Sequence, residues 1–456
     1  MAKRATVAAR PAPGPPGQPI FGNLRAFQKN PLQFLMDARR EYGDVVRFQM
    51  GPRLAHLVSR PEWVRYVLAT HHQDYPKSVL YQRLEPVLGK GLLTSEGEFW
   101  RRQRRIADPA FHLERIGGFA ATMTDATAAM LDRWEAAAAS GLPFDLAPEM
   151  GRLTMSIAAR TMFGADVSDA SSSVGRALNV AIHHAMRQIQ ALFPLPETLP
   201  TRDNLRLRRA IRTLDAVVYR MIAERRRHAA PTDDLLSMLI EARDPETGAT
   251  MSDQQLRDEV MTLFLAGHET TANALAWTFY LLGKAPAADR RLAAELDEVL
   301  GGRVPTLADV PRLGYTTMVI QEAMRLYPPA WVVSRMARRD DVIGGYQIPA
   351  GSTVVISQYV VHRHPDYWEQ PEGFDPDRFA GRPPAAYFPF GAGPRVCIGS
   401  NFAMLEAKLV LAMVAQRYRV DLVPGHVVEP EPLVTLRPRY GVMVTLRRRT
   451  GDGRSS

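Results

Sequence analysis

Cysteine is nearly absent from this chain: Cys397 is the only one in 456 residues. A single thiol closes no internal disulfide and holds no iron–sulfur cluster, which excludes a disulfide scaffold and a self-contained cluster protein. Long apolar runs are missing too, since none approaches the roughly 18 residues of a membrane-spanning helix. The N-terminus, MAKRATVAARPAPGPPGQPIFGN, carries basic residues with no apolar stretch behind them. Neither a signal peptide nor a membrane anchor is expected, and a soluble, cytoplasmic chain is. Base exceeds acid, with a net charge of +9, yet no zinc-ligand spacing or RNA-binding aromatic motif goes with it. The charge therefore reads as solvated surface or as a docking face for an acidic protein, not for nucleic acid.

No repeat and no linker divides the sequence, so one domain over residues 1–456 is expected. Residues 1–19 read as an extended, proline-rich leader and 447–456 as a frayed tail. Hydrophobic residues make up 46% of the chain, enough for a large core. Helical spacing covers Pro31 to Tyr42, and two strands, Asp44 to Met50 and Arg53 to Ser59, meet at Gly51-Pro52. Tyr75 to Thr94 is apolar but irregular, as a binding loop would be. From Gly118 to about Arg243 the period implies about five helices, with breaks at Gly141 to Pro143, Gly164 to Ser173 and Pro194 to Pro200. Ser252 to Leu282 is the longest helical pattern, and Leu313 to Tyr327 is another. Val342 to Ile348, Ser352 to Ser357, Arg419 to Val423 and Leu433 to Leu446 read as strands. The fold class is mainly α, with small peripheral sheets.

Three stretches carry chemistry. Phe390-Gly391-Ala392-Gly393-Pro394-Arg395-Val396-Cys397-Ile398-Gly399 runs into a helix-patterned stretch, so the sulfur should lie at a helix N-terminus, where the dipole favours thiolate. The glycines leave bare backbone for a flat, bulky cofactor, and Arg395 can reach an acidic group on it. Ala266-Gly267-His268-Glu269-Thr270-Thr271 sets a carboxylate beside a hydroxyl in mid-helix. Thr270 can bond the Ala266 carbonyl one turn back and open a groove there. Positions 266, 270 and 273 share a face, whereas His268 lies about 200° round from Thr270 and should point away. Glu322 and Arg325 have same-face ion-pair spacing. Glu62/Arg65, Glu98/Arg101 and Glu224/Arg227 share that spacing, so only its place before Pro328-Pro329 singles out Glu322. His183 and His184 are given no role.

The cysteine stretch, Phe-x-x-Gly-x-Arg-x-Cys-x-Gly, resembles the heme-binding signature of the cytochrome P-450 family, the heme-thiolate monooxygenases. The resemblance covers Pro11 to about Leu446. It implies a P-450-like helical domain holding heme b, with Cys397 as the axial thiolate and Phe390 and Gly399 shaping its loop. Trp100, Arg104, Arg335 and Arg395 would meet the heme propionates, and Arg378 would join Glu322 and Arg325 in a buried network behind the loop. Glu269 and Thr270 would supply protons for O2 activation, beside Ala266. Leu80, Leu84, Phe264, Ala266, Ala330, Val332 and Val333 would line the substrate pocket, with Leu433 and Val434 weaker candidates, under a lid near Phe193 to Pro196.

The implied activity is insertion of one oxygen atom of O2 into a C–H bond of a hydrophobic small molecule such as a terpenoid, steroid or fatty acid. Electrons would come from a separate ferredoxin or flavodoxin-type donor docked near Arg101, Arg102, Arg105 and Lys408. The alternatives are a heme-binding sensor or electron carrier without turnover, and a peroxide-driven oxygenase on the same fold.

Overall fold

The structure, a computed structural model, describes residues 9–164, 171–190, 196, 198–227 and 234–449. The leader before residue 9, residues 193–195 of the lid and the tail from 450 lie outside them.

Proline and side-chain caps set the helix starts. The helix Pro31–Tyr42 has proline in its first turn, where no N–H is needed, and Asn30 Oδ1 accepts from Gln33 N–H at 3.1 Å. Five helices fill the expected stretch: Ala120–Ser140, Leu146–Phe163, Ser171–Gln190, Arg202–Arg227 and Leu235–Glu241. Asp253–Lys284, the central helix, opens on a capping box in which Ser252 and Gln255 satisfy each other's N–H groups. It is apolar nearly all round and buried accordingly, packing against Leu146–Phe163, Gly314–Leu326 and the cysteine helix Ser400–Arg417.

The strands form small sheets at the periphery. In the leader, β1 (Arg10–Pro11) pairs in parallel with β7 (Tyr346–Ile348), which pairs with β6 (Asp341–Ile343). Another sheet runs β2 (Val45–Met50), β3 (Arg53–Val58), β8 (Thr353–Ile356), β5 (Val333–Met336). A third joins β4 (Phe144–Asp145), β12 (Met443–Arg448) and β9 (Tyr418–Leu422), and β10 (Pro430–Pro432) pairs with β11 (Leu436–Pro438).

Four readings need correction. Val342 to Ile348 is a hairpin, turned at Gly344 and Gly345, both at positive φ. Leu433 to Leu446 is not one strand; it breaks between β11 and β12 at Gly441, where φ is +72° and a Cβ would run into Asp145. Tyr75 to Thr94 contains two helical turns, Val79–Leu84 and Glu85–Leu88. The tail does not fray at Arg447: Arg447 and Arg448 pair with Arg419 and Tyr418.

Behind the cysteine loop, Glu322 and Arg325 are fully buried and doubly hydrogen-bonded, Nε to Oε2 at 2.7 Å and Nη2 to Oε1 at 2.8 Å. The remaining guanidinium hydrogens go to the carbonyls of His362, Pro371 and Gly373. Glu322 Oε1 also accepts from Asp375 N–H and lies 3.4 Å from Arg378 Nε, so the three expected residues meet. From there a chain of bonds reaches the cysteine. The neutral ring of His362 accepts from Phe388 N–H, Phe388 O from Gly391 N–H, and Phe390 O from Cys397 N–H at 2.9 Å. Burial holds His362 down to a pKa of about 3, with Arg325 and Arg363 pushing the same way, so the ring stays an acceptor. Removing the carboxylate strands a buried guanidinium. Glu322→Ala should therefore lower unfolding stability by about 3–5 kcal/mol, measured by denaturant titration.

Candidate active site

The cysteine loop is shaped by two left-handed glycines. Gly391 has φ +78° with open space around it, so the conformation alone demands glycine. Gly393, at φ +69°, also lies so close to the Leu68 carbonyl that a Cβ would overlap it. The loop delivers Cys397 just before the cysteine helix, whose N-cap is Gly399. Burial pushes the Cys397 thiol above its ordinary value; the Gly399 N–H and the nearby Arg104 oppose this and are outweighed. The helix N-terminus and Arg104 favour the expected thiolate while burial opposes it, and a coordinated metal ion would decide the balance, because a ligating thiol gives up its proton.

Cys397 lines a cavity of about 390 Å³ that the central helix also lines. On that helix Glu269, Thr270 and Ala266 line it. Thr270 Oγ1 donates to Ala266 O at 2.6 Å, as its position implied, but the helix continues unbroken past it. Burial raises the Glu269 carboxyl above its usual range, against Thr435 and Arg437. His268 turns away, stacked on Phe264 with Nδ1 3.3 Å from Phe264 O, and burial holds it to a pKa of about 4.

Trp100, Arg104, Arg335 and Arg395 line the same cavity, as do Phe390 and Gly399. Arg395 lies 3.7 Å over the Trp100 ring, donates to Ser95 O and pairs with Glu96 at 2.8 Å. Burial brings it down to a pKa of about 10. Arg104 donates to Val396 O and pairs with Asp108. One cation was not legible in the sequence: Lys77 also lines the cavity. Its ammonium donates to the carbonyls of Leu92 and Leu93, and burial, with Arg395 and Arg335, pushes it well below its ordinary value. Leu92 N–H in turn donates to Glu259 at 3.0 Å, a carboxyl raised by burial to about 8. Lys77 and Glu259 together pin a loop that the cavity needs.

Of the pocket candidates, Leu84, Ala266, Ala330, Val332 and Val333 line the cavity, and so does Val434. Leu80, Phe264 and Leu433 do not. Tyr81 and Leu84, three apart on a 3-10 turn, share the inward side that Leu80 misses. Phe264 is about 240° round the helix from Thr270, whereas Leu263 is nearly in line with it and takes the place. Leu433 spends its carbonyl on Trp331 Nε1, and Thr435 faces the cavity beside Val434. Asn273, expected on the Ala266 and Thr270 face, bonds Thr435 instead, and Ala274 lines the wall. The basic face is partly neutralised: Arg101 pairs with Glu98, and Arg105 with Asp244 and Glu246.

The fold places the chain among heme-domain oxidoreductases. The solved cytochrome P450DA heme domain superimposes with a TM-score of 0.89 at 30% identity, covering 98% of this chain and 100% of that one. The sequence model of the cytochrome P450 family matches residues 12–445. Cyclooctatin synthase of Streptomyces melanosporofaciens is 41% identical over 435 residues, 93% of each chain. Pentalenene oxygenase of Streptomyces avermitilis is 35% identical over 454 residues, 98% of each. Cyclooctat-9-en-7-ol 5-monooxygenase of S. melanosporofaciens is 39% identical over 420 residues, 91% of this chain and 90% of the relative. The chain belongs to the cytochrome P450 family and is a P450 monooxygenase. Among the described residues no helix is long and apolar enough to cross a membrane.

Family and fold imply a heme iron ligated by a cysteine thiolate, and the residues present fit that group. The one thiol, bare glycine backbone, a buried tryptophan and four cations surround a single apolar space, which suits a flat ring with an acidic edge. Lys77→Met should speed heme loss to an apoglobin acceptor roughly tenfold, the cost of one charge-assisted hydrogen bond.

Proposed function

We propose that this chain is a single-domain, cytoplasmic heme-thiolate monooxygenase that inserts one oxygen atom of O2 into a C–H bond of a hydrophobic small molecule, a terpenoid foremost, by hydroxylation or epoxidation. The observation that carries the reading is that Cys397 and the Glu269–Thr270 pair line one apolar cavity. The relatives named for cyclooctatin, cyclooctat-9-en-7-ol and pentalenene support a terpenoid over a steroid or fatty acid.

Cys397 would hold heme b, which supplies O2 activation, since thiolate ligation favours O–O cleavage. This chain's residues then do three things. Lys77, Trp100, Arg104, Arg335 and Arg395 bind and orient the cofactor's acidic edge. Leu84, Ala330, Val332 and Val333 exclude water and hold an apolar substrate by area. Glu269, raised by burial, carries a proton at its carboxyl and passes it through the Thr270 hydroxyl into the cavity, and water restores it. A gas sensor or electron carrier has no use for that acid and hydroxyl.

The single cysteine of this domain cannot hold an iron–sulfur cluster, and in this reading the electrons come from a separate ferredoxin or flavodoxin-type protein. With Arg101 and Arg105 engaged by acids, Arg102 and the half-buried Lys408 are the remaining named cations for that contact.

Thr270→Ala should leave heme content unchanged while product per electron pair falls by roughly tenfold or more, the electrons appearing as peroxide. Unchanged coupling, measured by product, peroxide and reductant consumed with labelled O2, would contradict the proton-supply role.

A further inference from the structure

The acid of the central helix is held from outside that helix. Glu269 Oε1 accepts the hydroxyl hydrogen of Thr435 at 2.7 Å, and Thr435 Oγ1 accepts from Asn273 Nδ2 at 3.0 Å. Asn273 and Thr435 are both buried. An amide nitrogen only donates, so Asn273 fills the acceptor side of the Thr435 hydroxyl and leaves its hydrogen to Glu269. Asn273 lies one turn beyond Glu269, so one helix face supplies both ends of the bridge.

The turn carrying Thr435 between β10 and β11 is firmly mounted. Leu433 O accepts from Trp331 Nε1 at 2.9 Å, Leu436 N–H donates to Pro329 O at 2.9 Å, and Leu436 O accepts from Trp277 Nε1 at 3.0 Å. A donor on such a mount favours the carboxylate over the neutral acid, against the burial that favours the acid. Of the charged groups nearby, Arg437 pulls the same way as Thr435. Arg437 is itself paired with Glu431 at 2.8 Å and lies 3.5 Å from His183 Nε2. The buried Glu406 of the cysteine helix interacts with Thr271 instead. Thr435 also lines the substrate cavity, so the residue that holds the acid is one the substrate meets.

We propose that Thr435 is a positioning residue for proton supply: its donated hydrogen bond orients the Glu269 carboxyl and favours its ionised form, so that the acid both gives and regains a proton during turnover. The role in turnover rests on the reading of Glu269 as the proton donor; the bridge itself does not.

The test is an infrared pH titration of the ferric, heme-loaded enzyme, with the carboxylic C=O band of Glu269 assigned by its loss in Glu269→Gln. Thr435→Val keeps the shape and deletes the donor. It should raise the midpoint by about one pH unit, because a hydrogen bond to a charged group is lost, while Thr435→Ser keeps the wild-type midpoint. A Thr435→Val midpoint within about 0.3 unit of wild type, or a Ser variant that behaves like Val, overturns the proposal. In turnover the alkaline limb of the rate profile should move up with the infrared midpoint, because the donor must be protonated to act. An infrared shift with an unmoved rate profile overturns the proton-donor reading of Glu269 and leaves the bridge standing.

Discussion

The Arg325 guanidinium is the point from which the cysteine is held. It is fully buried, and its bonds tie three segments together: Glu322 on its own helix, the His362 carbonyl, and the Pro371 and Gly373 carbonyls. A buried cation tolerates no loose partner, so each of these carbonyls is fixed in place. The His362 ring carries the constraint on to Phe388, and backbone bonds carry it to Gly391 and Cys397. A loop of three glycines would otherwise have far too much freedom to aim a sulfur. A charge network with no part in the chemistry thus decides where the chemistry can occur.

Along the same cavity, the central helix departs from stability rules where polarity is needed. Its burial is nearly complete, which suits hydrophobic residues, yet Glu259, Glu269 and Asn273 sit along it. Each has found a partner from another element: the Leu92 N–H for Glu259, and Thr435 for both Glu269 and Asn273. Satisfying these groups from loops gives the cavity a wall with one acid in a fixed orientation. Those loops, around Leu92 and Thr435, also bound the substrate space, so shape and proton supply are built from the same contacts.

Much of this was legible in the sequence where residues act locally. The helix Pro31–Tyr42, the five helices of the stretch before the central one and the Thr270 bond to Ala266 follow from spacing along one element, and the Glu322–Arg325 pair from spacing together with its place before Pro328-Pro329. The family resemblance added Trp100, Arg104, Arg335 and Arg378. What stayed hidden depends on residues far apart in sequence. Lys77 is an unremarked lysine in an apolar loop until folding brings it beside Arg395 and Arg335, and nothing in its neighbours signals a buried ammonium. Thr435 meets Glu269 across more than a hundred and fifty positions, and His362 meets Phe388 only through the fold. The pocket errors are errors of phase: Phe264 instead of Leu263, Leu80 instead of Tyr81, Leu433 instead of Thr435. A pattern locates an element more reliably than it orients one whose two faces are both apolar.

The claim everything else serves is that Cys397, aimed by its loop, is the iron ligand and is bound as thiolate. The carbon monoxide difference spectrum of the reduced, heme-loaded protein tests it most directly, compared between wild type and Cys397→His. The account predicts the long-wavelength band of thiolate ligation in the wild type and its loss in the variant. A wild-type spectrum of the imidazole-ligated kind, or a thiolate band that survives in Cys397→His, would contradict it.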